Sequence, residues 1–396
     1  MPFSRAVRAQ APALIKSLKP QYAPTVCKRW KSGPYGYTQA KALVYSKYGD
    51  PSEVLSLHTH SISPSLPPNQ LLLRTLASPI NPADINQIQG VYPSKPPFTS
   101  LLGTSVPSAV AGNEACFEVQ SIGSSIKSVA KGDWVIMRST GFGTWRTHAL
   151  AEEKDILRVE KGGLTEIQAA TVGVNPTTAW RMLVDFENLE GGRDWFIQNG
   201  ANSGVGRAAI QLGREWGLKS INIIRDRKTP EETESMKKEL LDLGATKVIT
   251  ESELQSRSTV SEIKEWTSGK NLKLGLNCVG GPVTLALVKT LSPGGHLVTY
   301  GAMSKQPLSL PTGLLIFKDL KFSGFWVSRW SDANSAEKEK TVESILQMTR
   351  EGRFKDIPVQ EMRWEWATEG ERLVEAVGGG LEGFRSGKGV LVFGDT

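Results

Sequence analysis

Phe196-Ile-Gln-Asn199, Gly200-Ala-Asn-Ser-Gly-Val-Gly206 and Arg207-Ala-Ala-Ile-Gln-Leu212 follow one another without a gap, and their reading decides the fold. An apolar run enters a turn of small residues, and the turn opens an amphipathic segment. Strand, tight turn and helix start in that order make an anion cradle. Small residues let the backbone approach a pyrophosphate, and the helix N-terminus offers free N–H groups and the positive end of its dipole. The spacing departs from G-x-G-x-x-G: Ala201 and Ser203 stand for the first two glycines, while Gly204 and Gly206 remain. Glycines also serve strand-to-helix turns for steric reasons alone, so the neighbouring sequence has to carry part of the weight.

It does. Apolar strand-like runs at 194–198, 220–224, 246–249, 274–278, 296–300 and 321–325 alternate with helical segments that fit 205–216, 231–243 and 283–291. Six such runs with helical spacers predict a doubly wound parallel sheet, with the glycine turn after its first strand. The second strand ends in Arg225-Asp226-Arg227. An acid about 20 residues past the glycines suits the ribose 2′-hydroxyl of NAD. Here two guanidiniums flank it, and they suit a dianionic 2′-phosphate through bidentate bonds, which favours NADPH.

Upstream the texture differs. Short β-like runs at 41–45, 70–74, 116–120 and 133–137 are broken by Pro64, Pro67, Pro68, Gly123 and Gly132, as in a mostly β domain. Past residue 327 come a charged helix at 337–350 and a β-like ending at 389–393. The tail is expected to return to the first domain, which makes the nucleotide domain an insertion.

The net charge of +7 suggests a nucleic-acid binder until its location is read. Arg5, Arg8, Lys16, Lys19, Lys28, Arg29 and Lys31 all precede the first acid, Asp50, and without those seven the basic and acidic residues number 40 each. At about 100° per residue, Arg5, Arg8, Lys16 and Lys19 share one side of a helix, and Phe3, Val7, Ala11, Leu14 and Leu18 the other. An acid-free amphipathic start of this kind predicts a mitochondrial transit peptide over 1–31, interrupted at Pro12, and a matrix location. Cys27 falls in that leader. Cys116 and Cys278 are left far apart, with no disulfide framework, and read as small buried residues. No run approaches the roughly 20 apolar residues needed to span a bilayer.

Taken together, several segments closely resemble the mitochondrial trans-2-enoyl thioester reductases, the enoyl-acyl carrier protein reductases of mitochondrial fatty acid synthesis. They are Ser78-Pro-Ile-Asn-Pro-Ala-Asp-Ile-Asn-Gln-Ile-Gln-Gly-Val-Tyr-Pro93, Gly112-Asn-Glu114, Gly143-Thr-Trp-Arg-Thr147, Val174-Asn-Pro-Thr-Thr-Ala179, Arg225-Asp-Arg227, Leu276-Asn-Cys-Val-Gly-Gly281, Tyr300-Gly-Ala-Met-Ser-Lys-Gln-Pro307, Ile316-Phe-Lys-Asp-Leu320 and Gly324-Phe-Trp326. They run in order through 40–395. The resemblance implies an α/β fold of the medium-chain dehydrogenase/reductase type. A GroES-like, mostly β catalytic domain at 40–180 and 340–396 would enclose a Rossmann NADPH-binding domain at 181–339.

Zinc-dependent relatives hold their metal with thiolate and imidazole. Where they carry Gly-His-Glu this chain has Gly112-Asn113-Glu114, and their early cysteine ligand is missing from Asn81-Pro-Ala-Asp84. A four-cysteine structural zinc lobe cannot be built from three cysteines. A zinc-free reaction is therefore expected, with another acid in place of the metal.

The resemblance implies that Tyr92 is that acid, a phenol that stays protonated near neutral pH. It implies Asn175 beside the nicotinamide, Asn202, Ser203, Gly204 and Val205 around the pyrophosphate, and Arg225, Asp226 and Arg227 at the 2′-phosphate. Tyr300, Gly301, Ala302, Met303, Phe325, Trp326, Val327 and Lys388 complete the implied cofactor contacts. Ala302 and Ala115 stand where the family usually shows glycine, each adding one methyl. The implied partners are an enoyl thioester on acyl carrier protein or CoA and a second copy of the chain. Rival readings are a zinc-free NADPH quinone oxidoreductase, which needs Tyr92 less, and an NADPH-binding protein without catalysis.

Overall fold

A computed structural model describes residues 34–379 and 387–396; the proposed 1–31 leader lies outside the described residues. The proline- and glycine-punctuated first half folds into β1 (Thr38–Tyr45), β2 (Ser56–Ile62), β3 (Gln70–Pro79), β4 (Ala109–Val110), β5 (Cys116–Ile122), β6 (Trp134–Met137), β7 (His148–Glu152) and β8 (Ile156–Val159). β3 is the central strand, antiparallel to both β5 and β7. Eight of its ten residues are buried, which is why it reads as an almost unbroken apolar run and does not alternate.

The second half forms β9 (Trp195–Gln198), β10 (Lys219–Ile224), β11 (Lys247–Thr250), β12 (Leu272–Asn277), β13 (His296–Thr299) and β14 (Lys321–Gly324). All neighbours pair parallel in the spatial order β11-β10-β9-β12-β13-β14. This is the doubly wound order, in which the chain reverses direction across the sheet at its first strand. All four residues of β9 are buried, as a strand covered by helices on both faces requires.

Two strands close the chain, β15 (Val359–Trp364) and β16 (Lys388–Phe393). β16 pairs antiparallel with β3 through Val390↔Pro79, Leu391↔Ser78 and Val392↔Ala77, so the tail does return to the first sheet. β15 is absent from the sequence reading, because Gln360, Glu361 and Arg363 lie exposed along it and leave little apolar pattern.

The region read as mostly β also holds helices, Pro82–Ile88 and Asn175–Asp185 among them. Each has a proline in its first turn, where the missing N–H costs nothing. Both frame the cleft between the sheets. Leu76 and Ile136 from the first sheet share one core with Phe196, Leu276 and Leu346, so the cleft walls are packed together. Among the described residues no helix is long and apolar enough to cross a membrane.

His60 and His148 lie in the first sheet system without facing carboxylates. Burial pushes both imidazoles down to about 4; Arg146 and then His58 add to the effect on His60, and Arg74 and then His60 to that on His148. In the unfolded chain an imidazole titrates near ~6.5, so as pH falls from there towards 4 the unfolded state takes up protons that the folded state refuses. Their stabilising contribution is complete above that range and is lost through it. The thermal unfolding midpoint is expected to fall by several degrees between pH 6.5 and 4.5, and His148→Leu should flatten that slope. An identical slope in the variant would assign the acid sensitivity to other groups.

Candidate active site

The glycine turn leaves β9 and enters helix Gly204–Glu215, whose N-cap is Ser203; its hydroxyl accepts from Gly206 N at 3.1 Å. Gly200 has φ +60°, and a Cβ there would stand 2.6 Å from Cys278 Sγ. A Cβ on Gly206 would stand 2.5 Å from the Ala201 carbonyl oxygen. The turn is held open by close packing beneath it, with its helix N-terminus facing the cleft, and it fits a pyrophosphate. Asn202, Ser203 and Gly204 are half-buried and Val205 is buried.

At the end of β10, Arg225 is exposed and Arg227 half-buried. Burial lowers the Arg227 guanidinium from its ordinary value, and the charge of Arg225 lowers it further. Two cations held together against their own repulsion fit a dianion. Between them Asp226 turns aside: Oδ2 accepts from Ser252 N at 3.2 Å and from Ser252 Oγ at 2.9 Å. Burial raises this carboxyl, but the bonds from Ser252 and Thr250 outweigh it and leave the group below its usual value. The acid is thus engaged by the start of helix Glu251–Leu254, and the arginines are left as the distinguishing feature of this strand end.

The other side of the cleft is built at the ends of β12, β13 and β14. Met303 N donates to Cys278 O at 2.9 Å, and a Cβ on Gly301 would touch Cys278, so Tyr300–Met303 crosses beside the glycine turn. Ala302 and Met303 are exposed, so the extra methyl of Ala302 projects from the turn without crowding it. Phe325 N donates to Thr299 O at 2.9 Å and starts the passage through Trp326 and Val327.

Tyr92 meets that passage. Trp326 Nε1 donates to the Tyr92 hydroxyl at 2.8 Å, with the rings edge to face at 5.8 Å. An indole N–H can only donate, so the phenol oxygen accepts and its own proton is left for another partner. Burial raises the phenol above its ordinary value, against the hydrogen bonds from Trp326 and Ser328. It is protonated at neutral pH. The sequence reading placed Trp326 only beside the cofactor; its contact with Tyr92 joins positions 234 residues apart.

Asn175, the first residue of helix Asn175–Asp185, faces the glycine turn: a Cβ on Gly204 would lie 2.9 Å from its Nδ2. That Nδ2 donates to Asn81 Oδ1 at 3.3 Å, and Lys388 Nζ donates to the same oxygen. Asn81 Nδ2 donates to Glu114 Oε1 at 2.9 Å, and Asn113 Nδ2 donates to Asp84 Oδ1 at 2.6 Å and to Gln87 Oε1 at 2.7 Å. Burial pushes the Asp84 carboxyl up to about 7 and also raises Glu114, while burial lowers the Lys388 ammonium. The sequence reading used Asn81, Asp84, Asn113 and Glu114 to carry the resemblance and to argue against a metal, and gave none of them a role in the site. They form a connected polar cluster at the cleft, and the available signal was their spacing: Asn81, Asp84 and Gln87 fall on one helical face. Among the described residues no group of three or more histidine, cysteine, aspartate or glutamate side chains is placed to hold a metal.

A GroES-like sheet and a Rossmann sheet with a dinucleotide turn between them define the medium-chain dehydrogenase/reductase class. Two family descriptions match: "Alcohol dehydrogenase GroES-like domain" over residues 67–161 and "Zinc-binding dehydrogenase" over 204–347. The mitochondrial enoyl-[acyl-carrier-protein] reductase of Yarrowia lipolytica is 49% identical over 319 residues, 81% of this chain and 82% of that protein. A solved Etr1p/NADP/crotonyl-CoA complex superposes with TM-score 0.85 at 41% identity, covering 89% of this chain and 99% of that one. The Etr1p/Etr2p heterodimer from Candida tropicalis, a mitochondrial 2-enoyl thioester reductase, gives the same values. A NADPH quinone oxidoreductase of Kluyveromyces marxianus is 41% identical over 83% of this chain and 86% of its own length. The chain belongs to the mitochondrial enoyl-[acyl-carrier-protein] reductase family.

Replacing both Arg225 and Arg227 by alanine is expected to raise the KM for NADPH by ~10–100-fold and to leave that for NADH within ~3-fold. Steady-state kinetics with the two nucleotides checks this; equal losses for both would remove the 2′-phosphate from these arginines.

Proposed function

We propose that this chain reduces trans-2-enoyl thioesters with NADPH in mitochondria, giving saturated acyl thioesters for fatty acid synthesis, on acyl carrier protein or CoA. The observation that carries the reading is the Tyr92 hydroxyl, accepting from Trp326 and keeping its own proton. Bound NADPH would supply the hydride. The enoyl thioester takes that hydride at its β-carbon, and its α-carbon then needs a proton. Charge passes meanwhile onto the thioester oxygen, where a preorganised donor lowers the barrier most. Tyr92 can meet both needs: a phenol donates without first being charged, and the indole on its oxygen stabilises the phenolate that remains. Asn175, the glycine turn and the paired arginines would hold the nucleotide along the cleft, with Tyr300–Met303 and Phe325–Val327 as its far wall.

Mitochondrial placement is supported by the acid-free basic leader and by relatives named as mitochondrial. The proposed acyl carrier is acyl carrier protein, and the proposed assembly is a homodimer, for which β14 is suited. It is the edge strand of its sheet, and the preceding helix Thr312–Lys318 exposes Leu315, Ile316 and Phe317.

The quinone reading has a named relative in its favour. The discriminating assay follows NADPH absorbance after adding a trans-2-enoyl-CoA or a quinone. Fast oxidation with the thioester is expected; oxidation with the quinone alone would overturn the proposal. In the same assay Tyr92→Phe should lower thioester turnover by ~10²–10⁴-fold while NADPH affinity stays close to the parent's. Equal turnover would remove the tyrosine from the reaction.

A further inference from the structure

Asn81 sits at the N-cap of helix Pro82–Ile88 and is 4% exposed, yet every polar atom of its side chain is engaged. Nδ2 donates to Glu114 Oε1 at 2.9 Å, while Oδ1 accepts from Lys388 Nζ and from Asn175 Nδ2 at 3.3 Å. Its backbone N–H donates to Asp84 Oδ2 at 2.6 Å. These contacts fix more than position. A carboxylate only accepts and an ammonium only donates, so Glu114 and Lys388 together dictate which end of the Asn81 amide is nitrogen and which is oxygen. The same constraint passes on: with the Asn81 oxygen fixed, Asn175 must turn its nitrogen towards it, and that nitrogen is also the end that lies beside Gly204 of the glycine turn. Turning Asn81 over would set donor against donor at Lys388 and acceptor against acceptor at Glu114, and turning Asn175 over would set two amide oxygens against each other, each of which is costly.

We propose that Asn81, oriented by Glu114 and Lys388, is a positioning residue that sets which end of the Asn175 amide faces the cofactor. The proposal rests on the cofactor reading above and adds to it a residue that touches neither nucleotide nor substrate. Glu114 acts on the Asn175 amide through Asn81, and Lys388 has two tasks, as a cofactor contact and as an orienting charge.

The test uses Asn81→Ser. Serine is as good an N-cap as asparagine, so the helix keeps its start, but the side chain is too short to bridge Glu114 and Asn175. NADPH Kd, read by nucleotide fluorescence without thioester, is expected to rise ~10-fold, and enoyl-CoA turnover to fall ~10–30-fold. Asn175→Ala should do about the same. The double variant should be no worse than Asn175→Ala within ~3-fold, because both changes remove one arrangement. Losses that multiply in the double variant, or an Asn81→Ser enzyme with parental Kd and turnover, would overturn the proposal.

Asn81→Asp gives a second reading should the serine variant unfold. It keeps volume and cap but sets a carboxylate oxygen against Glu114, in a cluster faced also by Asp84, Lys338 and Lys388. Its Kd, relative to the parent's at each pH, should improve as pH falls from 8 to 6, since a proton shared by two carboxyls restores the missing donor. A pH-independent ratio would count against the orienting role. If the parent binds NADPH but reduces no thioester, the functional reading fails, while the Kd cycle still decides the role of Asn81.

Discussion

The pairing of β16 with β3 is the constraint on which the site depends. Val390↔Pro79, Leu391↔Ser78 and Val392↔Ala77 lay the end of the chain against a strand more than 300 residues earlier. β3 leads directly into Ile80, Asn81 and helix Pro82–Ile88, and β16 begins at Lys388. The pairing therefore delivers an ammonium group to the first turn of that helix. It also puts Val390 into the core that holds Val205 of the nucleotide turn, and Leu391 into the core that holds Ile85 and Ile88 of the helix before the tyrosine loop. A ladder of backbone hydrogen bonds is stiff and specific in register, as a site shared between two sheets requires.

Around that junction lies an expensive set of buried groups. Asp84, Asn113 and Glu114 are each at most 6% exposed, and burial raises both carboxyls. Such a cluster adds little stability by itself, because the cost of removing charge from water offsets most of what pairing returns. What it provides is orientation. Asn113 accepts from Gly141 N at 2.7 Å, and Gln87 donates to Ser94 O at 3.0 Å, two residues past Tyr92. The backbone of Tyr92 itself donates to Asn86 O at 3.1 Å. Tyrosine loop, amide cluster and nucleotide cleft are thus fastened to a single short helix, and the phenol is aimed from the other side by the Trp326 indole. A metal-dependent dehydrogenase polarises its substrate with a cation; in the proposed reaction that work would fall to a neutral donor whose direction is set by its neighbours.

Much of this was legible in the chain itself. The glycine turn, the six apolar runs with helical spacers and the Arg225–Arg227 pair are local patterns, each imposed by the backbone or by one ligand group. Local patterns survive in one dimension, so the parallel sheet, the nucleotide cleft and the preference for a phosphorylated ribose could be read without coordinates. The expectation of a zinc-free reaction rests likewise on residue type, on Asn113 and the missing cysteine. Tertiary structure decided the rest. Trp326 reaches Tyr92 across 234 positions and Lys388 reaches Asn81 across 307, and no periodicity encodes such meetings. Asp226 stands near the distance expected of a ribose ligand along the chain, and only the fold shows Ser252 donating to its carboxylate. Residue identity and spacing specify elements and the chemistry each can offer; which side chains are buried against one another, and therefore which way an amide or a phenol points, emerges only when distant strands close on each other.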